Sequence, residues 1–146
     1  MRLVPIGIDA APAAPAAPER KDDDWAARRN AVGLRQVLSI AQGWQLGHAE
    51  LARLLGTTPR TVQRWRAQAD GGRLELSADA VERLSYLLGI HKALMILLPT
   101  PDNQRHWLRH ANADALFGGQ APLARLLSGQ VADLYVVRRY LDGARG

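Results

Sequence analysis

The chain has 146 residues, enough for one ordinary domain or two very small ones, and 47% of them are apolar, enough to build a hydrophobic core. It contains no cysteine, which excludes disulfides, thiolate metal sites and a cysteine nucleophile, and which fits the reducing cytosol. The net charge of +5 favours polyanionic or acidic partners.

Residues 1–21 are predicted to form a disordered arm. Ala10–Pro18 alternates alanine and proline, so proline prevents a helix and alanine offers little surface to bury. The segment Met1–Ile8 has one positive charge and an apolar run that proline interrupts, unlike a signal peptide. Alternatively, three apolar residues of this segment dock on a partner as a short strand: Leu3, Val4 and Ile6.

A first helix is expected to begin at the acidic triplet Asp22–Asp24 and to end at Gly43. Three acids suit a helix N-terminus, where the helix dipole favours negative charge. Apolar residues follow at spacings near three and four, which is helical periodicity: Trp25, Val32, Leu34, Val37, Leu38 and Ala41.

The next segment predicts a helix-turn-helix unit. Gly47–Leu55 is a short amphipathic helix, and Gly56 stops it as a glycine just past a helix end does. Thr58 is placed as the N-cap of a second helix, with Pro59 in the favoured first position. Two short helices joined by a glycine-containing turn form this motif, which completes a domain predicted at residues 22–73.

The second helix of this unit is the predicted DNA-recognition element. Arginine can bond guanine and glutamine can bond adenine in a bidentate way, whereas Val62 and Trp65 are expected to face the core. Arg66 and the Thr58 hydroxyl are better placed for phosphate, as is Arg73. The predicted DNA-binding residues are Thr58, Arg60, Thr61, Gln63, Arg64 and Arg66. The alternative is a helix pair retained only for dimerisation.

Residues 74–146 are predicted to form a second, helical domain. Ser77 caps a long helix that becomes apolar on nearly every side between Leu87 and Leu98. That run is too short to span a bilayer, which needs about 20 residues, and one small domain cannot cover it. We therefore expect a homodimer with Met95 and Ile96 buried between two copies. Shorter helices follow around Trp107, after Pro122 and from Val131 to Leu141.

The chain resembles the Xre/MbcA/ParS-type antitoxins over about residues 32–146. The stretches that carry this resemblance are Leu51–Gly56, Thr61–Trp65, Arg83–Ile90, Lys92–Leu94, Trp107–Leu108, Asn112, Leu116–Gly119, Pro122–Leu123, Gly129 and Tyr140–Asp142. The resemblance implies an antitoxin of a type II toxin–antitoxin pair whose partner is a RES-domain toxin that acts on NAD. It also implies repression of the shared operon. The N-terminal arm is not part of the family pattern.

The resemblance implies that the C-terminal region lies against the toxin, near its NAD pocket. The last helix suits this role because its apolar residues form two stripes. The stripe Val131/Leu134/Val137/Leu141 closes the domain core, and the stripe Ala132/Val136/Tyr140 faces another copy of the chain or a partner. Alternatively, both stripes form one wide buried face with Tyr140 reaching solvent. Gly143 is expected to end the helix and to free a tail that plugs the toxin, with the DNA-binding half dispensable for inhibition. The predicted toxin-binding residues are Val136, Arg139, Tyr140, Asp142, Arg145 and Gly146.

The sequence offers no basis for an enzyme or a cofactor. It lacks a nucleophile–base pair and a phosphate-binding loop. His106 and His110 share a helix face but lack a third ligand, so no metal site is predicted. The prediction is therefore an all-α, cytoplasmic homodimer that binds DNA and a toxin without contacting membranes. A stand-alone helix-turn-helix transcription regulator and a dimeric adaptor that binds no DNA are the alternatives.

Overall fold

The computed structural model describes the backbone of residues 16–146 and the side chains from residue 22 onward. This part of the chain contains seven helices and no strand, which confirms the all-α class. The helices are α1 (Ala16–Gly43), α2 (His48–Leu54), α3 (Pro59–Asp70), α4 (Ala78–Leu97), α5 (Pro101–Arg109), α6 (Pro122–Leu126) and α7 (Val131–Ala144). None of them is long and apolar enough to cross a membrane.

Helix α1 begins at Ala16 rather than at Asp22, so the predicted disordered arm is wrong for residues 16–21. Pro18 lies in the first turn, where its missing N–H interrupts no helical hydrogen bond. The acidic triplet therefore lies inside the helix, and Asp24 pairs with Arg28 one turn further on at 3.1 Å. Residues 1–15, with the docking strand proposed for them, lie outside the described residues.

The turn between α2 and α3 forms as its sequence predicts. Gly56 adopts a φ of +71°, a left-handed conformation that glycine reaches without steric cost. The Thr58 hydroxyl accepts a hydrogen bond from the Thr61 backbone N–H at 3.3 Å, and Pro59 occupies the first turn of α3. Ser77 caps α4 in the same way, by accepting from the Ala80 N–H at 3.2 Å.

One hydrophobic core runs through the whole described chain. It contains buried side chains from every helix, among them Leu34 of α1, Leu54 of α2, Val62 of α3, Leu108 of α5 and Leu134 of α7. Helix α4 lies at its centre, packed against α1 on one side and α7 on the other. The boundary predicted between residues 73 and 74 therefore separates two stretches of sequence but not two cores.

Arg83 of α4 ties the helix-turn-helix unit to the C-terminal helices. The side chain is buried, with 7% of its surface exposed. Its guanidinium donates to the Leu54 carbonyl at 3.4 Å, to the Gly129 carbonyl at 2.9 Å and to the Asp79 carboxylate at 2.8 Å. A Cβ on Gly56 would lie 2.7 Å from the Arg83 Nε, so glycine is required there both for its φ and for this close approach.

Further arginines bind carbonyls at helix ends across the same junction. Arg105 and Arg109 of α5 donate to the Gly43 and Gln45 carbonyls at 2.9 and 2.8 Å, next to the end of α1. Arg53 of α2 donates to the Leu127 carbonyl just after α6. Because helix ends leave carbonyls without partners, these cations complete the fold while joining its two halves.

Candidate DNA-binding and partner-binding surfaces

Helix α3 presents an exposed basic face. From Pro59 to Ala69 it carries three arginines and no acidic residue. Val62 is buried and Trp65 packs half-buried against the core, as expected from their spacing. The predicted DNA-binding residues lie on the remaining surface, where Thr61 is half-buried and the others are exposed: Thr58, Arg60, Gln63, Arg64 and Arg66.

The two threonines at the start of α3 bind each other. The Thr58 hydroxyl donates to the Thr61 hydroxyl at 3.2 Å while it caps the helix. The Thr58 proton is thus used inside the protein, so the exposed arginines are the strongest anion donors of this helix end. Their planar guanidinium groups suit bidentate contacts to guanine or phosphate.

Sequence reasoning did not include Gln68 in this face. Gln68 is exposed, lies seven residues after Thr61, and lines a cleft with Arg64, Trp65 and Arg73. Its spacing is the signal that could have identified it, because residues seven apart share a helix face. Arg73 was predicted as a phosphate ligand, and in the structure its guanidinium pairs with Asp24.

Helix α7 buries one of its two predicted stripes. Leu134, Val137 and Leu141 are buried, and Val131 is half-buried. On the opposite side Ala132 and the predicted toxin-binding residue Arg139 are exposed, while Val136 is half-buried. The exposed face is therefore narrower than the second stripe implied.

Tyr140 is the reason for that difference. Its ring packs edge-to-face on Phe117 at 5.4 Å, and Phe117 packs in the same manner on Trp107 at 5.7 Å. Burial and the neighbouring Asp114 carboxylate raise the pKa of Tyr140. One side of the Tyr140 ring therefore belongs to this domain's own core, and its role as a partner anchor stays a prediction for the accessible part of the ring.

The C-terminal end also differs from the sequence prediction. Helix α7 continues through Gly143 to Ala144, so Gly143 does not end it. The Arg145 guanidinium lies 3.6 Å from the Asp142 carboxylate, which also lies 3.5 Å from Arg138. Arg145 is thus folded back on the last turn of α7.

An apolar patch is exposed near the end of α4. Met95 and Ile96 each leave 53% of their surface uncovered in the single chain. Leu97 and Leu98, which follow them, are half-buried. Other apolar residues of this stretch, such as Ala93 and Leu94, are already buried within the single chain.

Two histidines lie together at the end of α5. The rings of His106 and His110 stack with centroids 3.7 Å apart, and the His106 carbonyl lies 2.9 Å from the His110 Nδ1. Within residues 22–146, no group of three or more His, Cys, Asp or Glu side chains is placed to hold a metal ion.

Together, the fold and these surfaces define a helix-turn-helix protein with a helical partner-binding domain attached. Residues 26–89 match the antitoxin Xre-like helix-turn-helix domain, and residues 93–146 match the antitoxin Xre/MbcA/ParS C-terminal toxin-binding domain. The chain belongs to the Xre/MbcA/ParS-type antitoxins, as the sequence resemblance indicated. A relative from Sinorhizobium fredii, the uncharacterized protein y4oB, is 40% identical over 114 residues, which cover 77% of this chain and 84% of that relative.

The two matched families are families of DNA-binding and toxin-binding domains rather than of enzymes. DNA and a toxin are accordingly the two partner classes of this protein. The two matched spans meet between residues 89 and 93, inside helix α4. One continuous helix therefore belongs to both halves of the molecule.

Proposed function

We propose that this antitoxin neutralises a RES-domain toxin that consumes NAD, and that it represses the operon encoding both proteins in the cytoplasm. The observation that carries the proposal is the pairing of two exposed surfaces on one core. The basic face of α3 lies within the span that matches the helix-turn-helix family, and the exposed face of α7 lies within the span that matches the toxin-binding family.

The DNA-binding half acts through the N-terminal part of α3. In helix-turn-helix complexes this part of the second helix enters the major groove and meets base edges. Arg60, Gln63 and Arg64 bind bases in this proposal, and Arg66 binds phosphate.

A homodimer presents two copies of α3, one to each half-site of an operator. Met95 and Ile96 form the contact between two copies, which would remove from water the largest apolar side chains that α4 leaves exposed. Replacing Ile96 by Glu should convert the dimer to a monomer in sedimentation velocity at micromolar concentration. A wild-type chain that is already monomeric under those conditions would contradict this contact.

Toxin neutralisation is assigned to α7 and the residues after it. Val136, Arg139 and the outer edge of Tyr140 dock on the toxin, while Asp142, Arg145 and Gly146 lie at the entrance of its NAD pocket. A pocket that binds pyrophosphate offers cations, which would repel the Arg145 guanidinium. The Arg145 guanidinium is therefore expected to pair with carboxylates or to stack on aromatic side chains at the rim of the pocket.

Coexpression tests the proposal most directly. The tagged chain should copurify with the product of the neighbouring gene, prevent the fall in cellular NAD caused by that product alone, and bind the promoter fragment upstream of the gene pair. Specific promoter binding without a copurifying toxin would favour a stand-alone transcription regulator. Toxin or self-association without any salt-dependent DNA binding would favour an adaptor.

A further inference from the structure

Helices α4 and α7 form a seam on the surface because they run side by side in the same direction. In its second turn, α4 contacts the turn that precedes α7 through Arg83, which donates to the Gly129 carbonyl at 2.9 Å. Further along, Arg138 crosses α4 at Gly89, where an added Cβ would lie 2.5 Å from the guanidinium. A glycine is needed at this crossing because the arginine lies against the helix backbone.

Two tyrosines stand together on this seam. The rings of Tyr86 and Tyr135 lie 5.7 Å apart and are tilted by 32°. Tyr135 is 38% exposed and Tyr86 is half-buried. The chain has only three tyrosines, and the third, Tyr140, packs one edge of its ring into the core. Two of the three tyrosines therefore lie side by side at the surface, where Tyr135 is exposed and Tyr86 rests one side of its ring against the core.

Hydrogen bonds fix the orientation of both rings. The Tyr86 hydroxyl donates to the Glu82 carboxylate at 2.7 Å, and the Tyr135 hydroxyl accepts from Arg139 at 3.4 Å. The Arg139 guanidinium also lies 5.9 Å from the centre of the Tyr135 ring. The bond to Glu82 and partial burial raise the pKa of Tyr86, so its hydroxyl stays protonated at neutral pH. Rings held in this way lose little conformational entropy when a partner binds them.

The charges along the seam favour an acidic partner. Its exposed and half-exposed side chains include four cations and two carboxylates: Glu82, Lys92, Arg138, Arg139, Asp142 and Arg145. Asp142 pairs with both Arg138 and Arg145, whereas within residues 22–146 Arg139 and Lys92 have no carboxylate partner. Oriented tyrosines beside a cation without a carboxylate partner are the residue types that dominate protein interfaces.

We infer that Glu82, Tyr86, Tyr135 and Arg139, named here the α4–α7 patch, form a docking site for an apolar, acid-rimmed surface of the toxin. The inference rests on the proposed function. Tyr135 and Arg139 lie within the span that matches the toxin-binding domain, whereas Glu82 and Tyr86 lie within the span that matches the helix-turn-helix domain. The toxin-binding surface therefore extends beyond α7 onto the helix that both halves share.

The test measures affinity for the purified product of the neighbouring gene and, in parallel, for the promoter fragment. Tyr135→Ala and Tyr86→Ala should each lower affinity for that product about tenfold or more, and Arg139→Glu should do the same by reversing the charge. Promoter affinity should stay within about twofold. Tyr86→Phe keeps the ring and loses only the bond to Glu82, so it should retain most of the affinity.

One control variant lies outside the patch, and two variants within it replace exposed side chains. Val32→Ala truncates an exposed apolar side chain of α1 outside the patch and should change neither affinity. Tyr135→Ala and Arg139→Glu alter exposed side chains, so they test the patch even if Tyr86→Ala fails to fold. Wild-type affinity in both variants would overturn the inference and would remove Arg139 from the proposed toxin contact. Binding of the wild-type chain to the neighbouring product would still support the antitoxin function. Loss of promoter affinity with intact toxin affinity would overturn it by assigning the patch to DNA, and a wild-type chain that does not bind the neighbouring product would overturn both.

Discussion

The exposed faces of α3 and α7 differ in how far the rest of the chain occupies them. The arginines of α3 extend from a helix whose other side alone enters the core, and its basic face has no acid of its own from Pro59 to Ala69. In α7, by contrast, Arg138 and Arg145 pair with Asp142, and Tyr140 packs on Phe117. The exposed face of α3 is formed by the side chains of that helix alone. The exposed face of α7 is shaped by the side chains that pack against it or pair with it.

The two helices therefore suit two different kinds of partner. A recognition helix with extended basic side chains suits a long, regular polyanion whose phosphates attract it before bases are read. A helix whose side chains are already oriented by neighbours suits one partner with a complementary shape. Both helices nevertheless contact the same core, so changes to that core should affect them together.

Separation of the two halves of the chain is expected to have the largest effect. A fragment of residues 74–146 loses α1, against which α4 packs where Leu84 approaches Gly33. Because this exposes one side of α4, we expect the fragment to lack a cooperative unfolding transition in urea and to bind the toxin weakly. This reverses the sequence-based expectation that the DNA-binding half is dispensable for inhibition. A fragment that unfolds cooperatively and binds the toxin normally would restore that expectation.

Arg83 provides a smaller perturbation of the same junction. Arg83→Met removes a buried cation and leaves the Leu54 and Gly129 carbonyls without their donor, which should cost about 2–4 kcal/mol of unfolding free energy. The remaining transition should stay single when followed by both near-UV and far-UV circular dichroism. Arg53→Met removes an exposed donor to the Leu127 carbonyl and should cost under about 1 kcal/mol. Equal effects of the two variants would argue against a special role for the buried site.

Local chemistry made α2 and α3 predictable, because each signal acts within a few residues. Gly56 ends one helix, and Thr58 with Pro59 begins the next, independently of anything distant. The start of α1 was mispredicted because a proline in the first helical turn resembles a proline that prevents a helix. The pairing of Tyr140 with Phe117 joins residues far apart in the chain and was missed because periodicity within α7 contains no information about what packs on it.

The DNA-binding surface should respond to single residues. Arg60→Ala and Arg64→Ala should each weaken binding to the specific operator by about 1–3 kcal/mol if they contact bases, with little change in nonspecific binding. Arg66→Ala should weaken specific and nonspecific binding alike and reduce the salt dependence, as expected for a phosphate ligand. Fluorescence anisotropy across a salt series measures all three. Unchanged operator affinity in both base-contact variants would show that α3 is not the recognition helix.

The C-terminal end should contribute little to stability and more to neutralisation. Deleting residues 143–146 removes the Arg145–Asp142 pair, which is partly exposed and is worth under about 1 kcal/mol of stability. If the end blocks the NAD pocket, the deletion should reduce inhibition of NAD turnover more than it reduces complex formation. Full inhibition by the shortened chain would assign neutralisation to the docked helices alone.

The smallest expected effect is a pH dependence at His91. Burial lowers the pKa of this imidazole from its ordinary value of 6.5, and its ring lies 6.2 Å from that of Trp44 in the core. The folded protein therefore binds a proton less readily than the unfolded chain. The contribution of the neutral histidine to stability is present above about pH 6.5 and is lost as the pH falls through the pKa of the folded state.

Urea unfolding at about pH 7.5 and about pH 5.5 should show a smaller loss of stability at acid pH for His91→Gln than for the wild type. His48→Gln, a change at an exposed histidine of α2, is the matched control and should keep the wild-type loss. If His91→Gln also keeps that loss, the acid sensitivity arises elsewhere, and His91 does not link the stability of the α1–α4 contact to pH.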